Sequence, residues 1–250
     1  RGRVVESTLS GIPVSAGIAI GPALPYQMNS VDVARHSEVD IDAELVRLDK
    51  ALAEVREVLT EIRDRTEEAM GPTHAAIFDG QLAMLDDVAF RPEVERRLKE
   101  EKVNVEFLVD DIIKGYMRMM EEVDDEQFRD RSMDFVDVGR RVLGSLTNVK
   151  VDGLDHLEHP SIVLARNLTP SETVNMDVTN TLGMAIDGGG PTSHMAILAR
   201  AMDIPAVVGL HFIGTPVAAG DLIIVDGTNG RIILRPEPET LDEYEAARDR

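Results

Sequence analysis

The sequence predicts an α/β fold interrupted by an inserted all-α helical bundle. Three observations carry this. Short β-like apolar runs alternate with helix signals from residue 148 onward, the Gly-rich opening segment reads as a strand, and residues 37–147 read as helix throughout. The expected division is an α/β part over 1–36 and 148–237, a helical part over 37–147, and a charged linker helix over 238–250.

The opening stretch, Ser10-Gly-Ile-Pro-Val-Ser-Ala-Gly-Ile-Ala-Ile-Gly-Pro22, is apolar and strand-like, and is expected to join the later sheet. In the helical block, Ile41, Leu45, Leu48, Leu52, Val55, Leu59 and Ile62 recur at steps of four and three, which places them on one face of a long helix. Gly71-Pro72 stops it. Shorter patterns follow: Ile77/Phe78/Leu82/Leu85, a Pro92-started segment to about Lys102, Val105/Leu108/Ile112/Tyr116/Met119, and Phe128 to Leu146. Together they predict a small bundle, because a heptad-like spacing sustained for only about three heptads belongs to a packed bundle helix more often than to an intermolecular coiled coil.

After residue 148 the expected strands are Ser161–Ala165, Gly183–Ile186, Ala206–Val208, Leu222–Val225 and Arg231–Leu234. Between the first two, Thr169-Pro170-Ser171-Glu172 is a capping box with Pro at the first helical position, so a helix starts there.

Composition removes several function classes. The formal charge is −20, from 46 acidic and 26 basic residues, and such a surface repels nucleic-acid phosphate and anionic membranes alike. The block 37–147 holds 29 acidic and 16 basic residues, a net of −13, and so offers a docking face for a basic protein. Aromatic content of 4%, with no Trp, leaves no stacking platform for bases or sugars. The absence of Cys excludes disulfides and thiolate catalysis and fits a reducing cytoplasm. No apolar run reaches the roughly 20 residues needed to span a bilayer, so a soluble, cytoplasmic chain is expected. The start without Met and the charged end from Leu241 to Arg250 point to a piece of something longer.

The chemistry concentrates in Asp187-Gly-Gly-Gly-Pro-Thr-Ser-His-Met-Ala-Ile-Leu-Ala-Arg200. Gly188, Gly189 and Gly190 after an apolar strand allow a sharp turn and the close approach of a large group. Thr192 and Ser193 are N-cap candidates, so His194 lies in the first turn of a helix, where backbone N–H groups and the positive dipole end favour an anion. An imidazole there is biased toward its neutral, nucleophilic form.

A histidine taken at random from the six is more often structural than catalytic, and the glycine run, the cap pair and the helix start set His194 apart. His156 and His159 have i, i+3 spacing but sit beside Pro160 without a matching ligand pair, so no metal site is expected. The glycine run lacks a P-loop Lys, and no Gly-x-Ser-x-Gly elbow makes Ser193 and His194 a hydrolase pair.

The stretch Gly189–Arg200 followed by Ile204-Pro-Ala-Val-Val-Gly209 closely resembles the phosphohistidine segment of enzymes that exchange phosphoryl groups with phosphoenolpyruvate. Among them the chain is most similar to the amino-terminal domain of Enzyme I of the sugar phosphotransferase system. Further likenesses are Gly11–Gly21, Leu168-Thr-Pro-Ser-Glu-Thr173, Ala76-Ile-Phe-Asp-Gly80, Asp124-Asp-Glu126 and Asp137-x-Gly-Arg-Arg141.

That resemblance implies a phosphohistidine (swivelling) α/β subdomain with an inserted helical subdomain that binds HPr or a paralogue. It implies phosphorylation of His194 through Nε2, with Thr169 orienting the imidazole, Thr192 and Ser193 at the helix start, and Gly188, Gly189, Gly190 and Arg200 around the phosphate loop. Asp79, Leu82, Met84, Asp86 and Asp87 are the implied partner-binding residues. The implied activity is a phosphotransferase moving phosphate from His194 to a histidine of an HPr-like carrier. Phosphoenolpyruvate and Mg2+ belong to a carboxy-terminal barrel absent here, so the fragment itself is expected to need no cofactor, to make no use of phosphoenolpyruvate and to be monomeric. The rival implications are a regulatory nitrogen-branch paralogue and the phosphohistidine domain of a phosphoenolpyruvate synthase or pyruvate phosphate dikinase. The chain departs from the family pattern at Pro191, where many members carry a basic residue, and at Pro72-Thr73-His74, where more acidic character is the pattern.

Overall fold

The computed structural model describes residues 5–28, 31–86, 90–211 and 216–250. The chain divides into two compact units, one of residues 1–28, 152–168 and 172–250, the other of 29–151 with 169–171. The helical unit thus begins and ends several residues outside 37–147, and it takes the tripeptide Thr169-Pro170-Ser171 with it.

Among the described residues the helical unit contains five helices, α1 (Ile41–Met70), α2 (Pro72–Asp86), α3 (Arg91–Glu101), α4 (Val105–Glu122) and α5 (Glu126–Thr147). Asp40 caps α1 by accepting from the backbone N–H of Asp42 at 3.1 Å and Ala43 at 3.3 Å. Gly71, at φ 91°, ends it in a conformation that glycine adopts without strain. The stripe that α1 buries runs through Glu44, Leu48, Ala51, Val55, Leu59, Ile62 and Thr66, which is offset from the expected face. Ile41, Leu45 and Leu52 are only half-buried. Glu44 goes inside because its carboxylate accepts the N–H of Val105, the first residue of α4, at 2.8 Å and pairs with Arg47 at 3.0 Å.

α2 buries Ile77, Phe78 and Leu85 as the spacing predicts, and leaves Leu82 half-buried. α4 departs further, burying Val105, Leu108, Val109 and Ile113 while Ile112 and Tyr116 are half-buried and Met119 is exposed. Its buried face turns toward α5, where Tyr116 stacks on Phe135 with ring centroids 4.2 Å apart, and Phe90 meets the same ring edge-on at 5.4 Å.

The α/β unit is built on an eight-stranded sheet in the order β1-β8-β7-β3-β4-β5-β6-β2. The strands are β1 (Ser7–Ser10), β2 (Ile12–Ser15), β3 (Ile18–Tyr26), β4 (Ser161–Ala165), β5 (Thr181–Ile186), β6 (Ala206–Val208), β7 (Leu222–Asp226) and β8 (Arg231–Leu234). The opening segment does join the later sheet, as β2 antiparallel to β6 and as β3 parallel to β4 and antiparallel to β7. β3, β4, β5 and β6 are parallel neighbours; β4, β5 and β6 are buried on both faces, which explains why their sequences are apolar runs, whereas β3 buries alternate residues.

One face packs Val163, Ala165, Met184, Ile186 and Ala206 against Met195, Ala196 and Ala199 of helix α7 (His194–Ala201). The other face joins Ile162, Leu164, Ala185 and Val207 to Ile223, Val225 and Ile232. A short helix α6 (Pro170–Val174) starts at the expected proline, and helix α8 (Pro238–Arg248) closes the chain. Tyr244 of α8 donates to Asp226 at 3.2 Å, and burial, followed by this neighbouring carboxylate, raises the tyrosine's pKa above its ordinary value. No described helix is long and apolar enough to cross a membrane.

Candidate functional site

The site starts where β5 ends. Beyond Ile186 the chain stays paired for two residues, Asp187 N–H donating to Ala165 O and Gly188 N–H to Arg166 O, both at 2.9 Å. A Cβ at Gly188 would lie 2.6 Å from Asn167 Oδ1, the end of a side chain that can turn aside, and 3.3 Å from Arg166 O. Gly189 then reverses direction at φ 91°. The turn closes with Ser193 N–H donating to Gly190 O at 3.2 Å.

Ser193 is the N-cap of α7, with extended backbone and its Oγ accepting from Ala196 N–H at 3.2 Å. His194 is therefore the first residue of the helix, half-buried, with Met195, Ala196, Leu198 and Ala199 anchoring the helix beneath it. Thr192 is exposed at the rim. An imidazole at this end stands beside the helix's outward-pointing N–H groups, an arrangement that tolerates a phosphoryl charge.

Arg200 directs its guanidinium at backbone carbonyls, one of them in the turn itself. Its Nε donates to Val14 O and one terminal nitrogen to Pro191 O, both at 3.0 Å. The guanidinium thus ties β2 to the turn before His194. A fork with two donors aimed at two carbonyls is a geometric match that lysine cannot copy. Arg200→Lys is expected to cost about 1–2 kcal/mol of stability in the α/β unit, at the scale of losing one or two charge-assisted hydrogen bonds. Thermal unfolding measures it, and an unchanged transition would refute the tie.

The structure collects His194, Thr192, Ser193, Gly188, Gly189, Gly190 and Arg200 on one strand–turn–helix of the α/β unit. Thr169, fully buried, falls in the helical unit. Asp79, Leu82, Met84 and Asp86 lie on α2; Asp87 lies outside the described residues. The two described acids are not bare charges. Asp79 accepts from Arg63 of α1 at 2.8 Å, and Asp86 accepts from Arg56 of α1 through both terminal nitrogens. The hydrogen bond that Arg63 donates to Asp79, followed by the one to Asp64, raises the pKa of Arg63 above its ordinary value. Exposed pairs of this kind contribute little to stability, so their carboxylates can exchange partners. Leu82 and Met84 are half-buried between them in sequence.

Sequence reading missed two features: the tie made by Arg200, and a buried network around Ser171. In that network Ser171 N–H donates to Asp137 Oδ2 at 2.8 Å and its hydroxyl donates to Oδ1. Arg141 donates to Ser171 Oγ from Nε at 3.0 Å and Nη2 at 2.8 Å. Both Asp137 and Arg141 belong to a stretch singled out for its likeness to a family, but their partner lies 30 or more residues on and no spacing rule links them. His156 and His159 are exposed on the loop before β4. Among the described residues no group of three or more His, Asp or Glu is placed to hold a metal ion.

Two family models match the chain: "PEP-utilising enzyme, N-terminal" over residues 10–131 and "PEP-utilising enzyme, mobile domain" over residues 157–230. The phosphoenolpyruvate-protein phosphotransferase of Geobacillus stearothermophilus is 37% identical over 247 residues, covering 98% of this chain and 42% of that protein. The protein of the same name from Bacillus subtilis is 35% identical over 237 residues, 95% of this chain and 42% of its own length. The chain therefore spans about two-fifths of the curated relatives it matches. Among solved structures, the solution NMR structure of Enzyme I (nEIt) is 36% identical with a TM-score of 0.68, covering 96% of this chain and 98% of that one. The N-terminal domain of Enzyme 1 - Nitrogen, 23% identical with a TM-score of 0.56 over 97% of this chain and 100% of that one, shares the fold. With both models matched and a solved relative aligned along nearly its whole length, the chain belongs to the Enzyme I (phosphoenolpyruvate-protein phosphotransferase) family of PEP-utilising enzymes and corresponds to its amino-terminal region.

Proposed function

We propose that this chain is the phosphoryl-carrying part of a phosphoenolpyruvate-protein phosphotransferase, with His194 as the residue that accepts and donates the phosphate. One observation carries the reading: His194 stands at the first position of α7, behind a serine cap and a turn with glycine at positive φ, inside the stretch that matches the mobile domain. In the transfer, the bond between phosphorus and an imidazole nitrogen of an HPr-like carrier breaks as a bond from phosphorus to His194 Nε2 forms, in line. Positioning and electrostatics supply most of the catalysis in such a step.

In this reading the α/β unit is the swivelling phosphohistidine subdomain and the helical unit recruits the carrier. Residues 238–250 lead toward a phosphoenolpyruvate- and Mg2+-binding barrel, the part of the relatives that this chain does not span. Thr169 hydrogen-bonds and orients the imidazole, a role supported by the family-like segment Leu168–Thr173. Thr192 and Ser193 shape the helix start, and Gly188, Gly189 and Gly190 leave room for the phosphate. Arg200 serves the loop rather than the phosphate, since its fork is directed at Val14 and Pro191.

The test is to incubate the chain with an HPr labelled on its phosphohistidine. Acid-labile, alkali-stable label is expected on the tryptic peptide that ends at Arg200, and label on any other peptide would refute His194. Docking supplies a further prediction. The helical block has a net charge of −13, so affinity for a basic carrier is expected to fall steadily as salt shortens the Debye length below about 10 Å. An affinity independent of salt would replace the acidic docking face with an apolar one.

A further inference from the structure

The geometry points to a binding site for a small organic carboxylate in the α/β unit, at the carboxyl ends of β3 and β4. A cavity of about 420 Å³ opens there, and its walls include Pro25, Tyr26, Gln27, Leu164, Arg166 and Val217. All six residues belong to the α/β unit. β3 and β4 run parallel and end in register, with Tyr26 beside Ala165. The crevice outside the carboxyl ends of parallel strands is where open α/β sheets bind ligands, and small-molecule sites measure about 300–1,000 Å³. The wall at Val217 is held from both sides. Arg235 donates to Pro216 O at 3.0 Å, and Ala218 N–H donates to Asp221 Oδ2 at 3.0 Å. The same loop is tied to β3, Gly220 N–H donating to Ala23 O at 2.9 Å and Ala23 N–H to Asp221 O at 2.8 Å.

The polar groups of the cavity set the chemistry of its ligand. Arg166 is exposed, and in a chain with 46 acidic residues its guanidinium pairs with no acid among the described residues. Arg235, by contrast, is paired with Asp221 at 3.5 Å. The carboxamide of Gln27 is exposed as well and has no hydrogen-bond partner among the described residues. A planar fork of donors beside a second, neutral donor matches a carboxylate, which it holds through both oxygens. One cation balances one anion. A dianionic phosphate would keep an uncompensated charge in a chain whose net charge is −20, so a monoanion is the better fit. Pro25, Leu164 and Val217 supply the apolar remainder of the wall and favour a short hydrocarbon body over a bare ion. Leu164 packs with Ile162, Ala185 and Val207, on the sheet face opposite the one that α7 covers. Arg166 meets the turn before His194 only through its backbone, its carbonyl accepting from Gly188 N–H at 2.9 Å, while its side chain lines the cavity.

The experiment titrates the 15N-labelled 250-residue chain with butyrate, acetate and inorganic phosphate at constant ionic strength. It follows the amide signals of Gln27, Arg166 and Val217 and the Nε–H signal of Arg166. Butyrate is expected to give saturable shifts concentrated on these groups. Acetate, shorter by two methylenes, is expected to bind roughly 10-fold more weakly. Phosphate is expected to bind more weakly than butyrate. Arg166→Gln is expected to weaken butyrate binding about 10-fold or more, the scale of a lost hydrogen bond to a charged group. Arg166→Lys keeps the charge without the fork and is expected to fall between the two. Both variants should melt as the parent does, since the side chain is exposed. Phosphoryl uptake from phosphorylated HPr should keep the parent rate in Arg166→Gln, which separates this site from His194. Butyrate shifts that scatter over the chain or rise without saturation overturn the site, and so does phosphate binding more tightly than butyrate. Unchanged butyrate affinity in Arg166→Gln overturns it as well; if that variant also slows phosphoryl uptake, the arginine serves the phosphate on His194 instead.

Discussion

His194→Ala is expected to remove phosphoryl uptake from phosphorylated HPr, by a factor of about 10⁴ or more, the scale on which deletion of a nucleophile acts. No nearby group substitutes for it. Thr192 and Ser193 are hydroxyls, and the N-cap role of Ser193 commits its oxygen to Ala196 N–H. The fold should be nearly indifferent to the change. The residue is half-buried, it begins a helix rather than filling its interior, and α7 is held by Met195, Ala196, Leu198 and Ala199. A stability change within about 0.5 kcal/mol is therefore expected. The pairing of a lost reaction with an unaltered melting curve is the diagnostic result. Undiminished label in the variant would sink the assignment, whatever the melting curve shows.

Gly227→Ala carries the largest expected effect on stability. Gly227 follows β7, and its N–H donates to Gly17 O at 2.8 Å. A Cβ there would lie 1.9 Å from Ser15 O and 3.0 Å from Ala206 N, both backbone atoms. A flexible side chain could rotate away from such a clash, but Ser15 is held in β2 by pairing with β6. The methyl group must therefore push strands apart. The cost is expected at or beyond the upper end of overpacking, about 3 kcal/mol. For a unit of this size that lowers the melting temperature by about 12 °C, at roughly 4 °C per kcal/mol. Calorimetry should show the loss in the transition of the α/β unit, with the helical unit's transition in place. A melting curve like the parent's would mean that this turn is far more pliable than its packing indicates.

The main errors of sequence reading fall on residues whose partners are distant in the chain. In α1, periodicity finds a helix and its length, yet burial follows Glu44, Ala51 and Thr66 rather than Ile41, Leu45 and Leu52. The apolar positions of a long helix make a stripe wider than any one contact, and the neighbours decide which edge is covered. In α4, Met119 belongs to the pattern and is nevertheless exposed, because the buried face of that helix turns toward α5. Asp79 and Asp86 are named in the sequence only as implied partner-binding residues, and only the packing of α2 on α1 pairs them with Arg63 and Arg56.

What the sequence by itself determined is local. It marks the stop at Gly71-Pro72, the start of α6 at Pro170, the turn at Gly188–Gly190 and the placing of His194 in a first helical turn. Each is set by backbone chemistry acting within a few residues: positive φ, a missing N–H, or a side chain that caps its own helix. Tertiary structure alone decided the rest. It brought the opening strands into the middle and the edge of one sheet, directed Arg200 to Val14 O and Pro191 O, and surrounded Ser171 with Asp137 and Arg141. Apart from Arg200 to Pro191, these contacts join residues separated by tens to hundreds of positions, and burial selects among many such pairings only once the whole chain has packed.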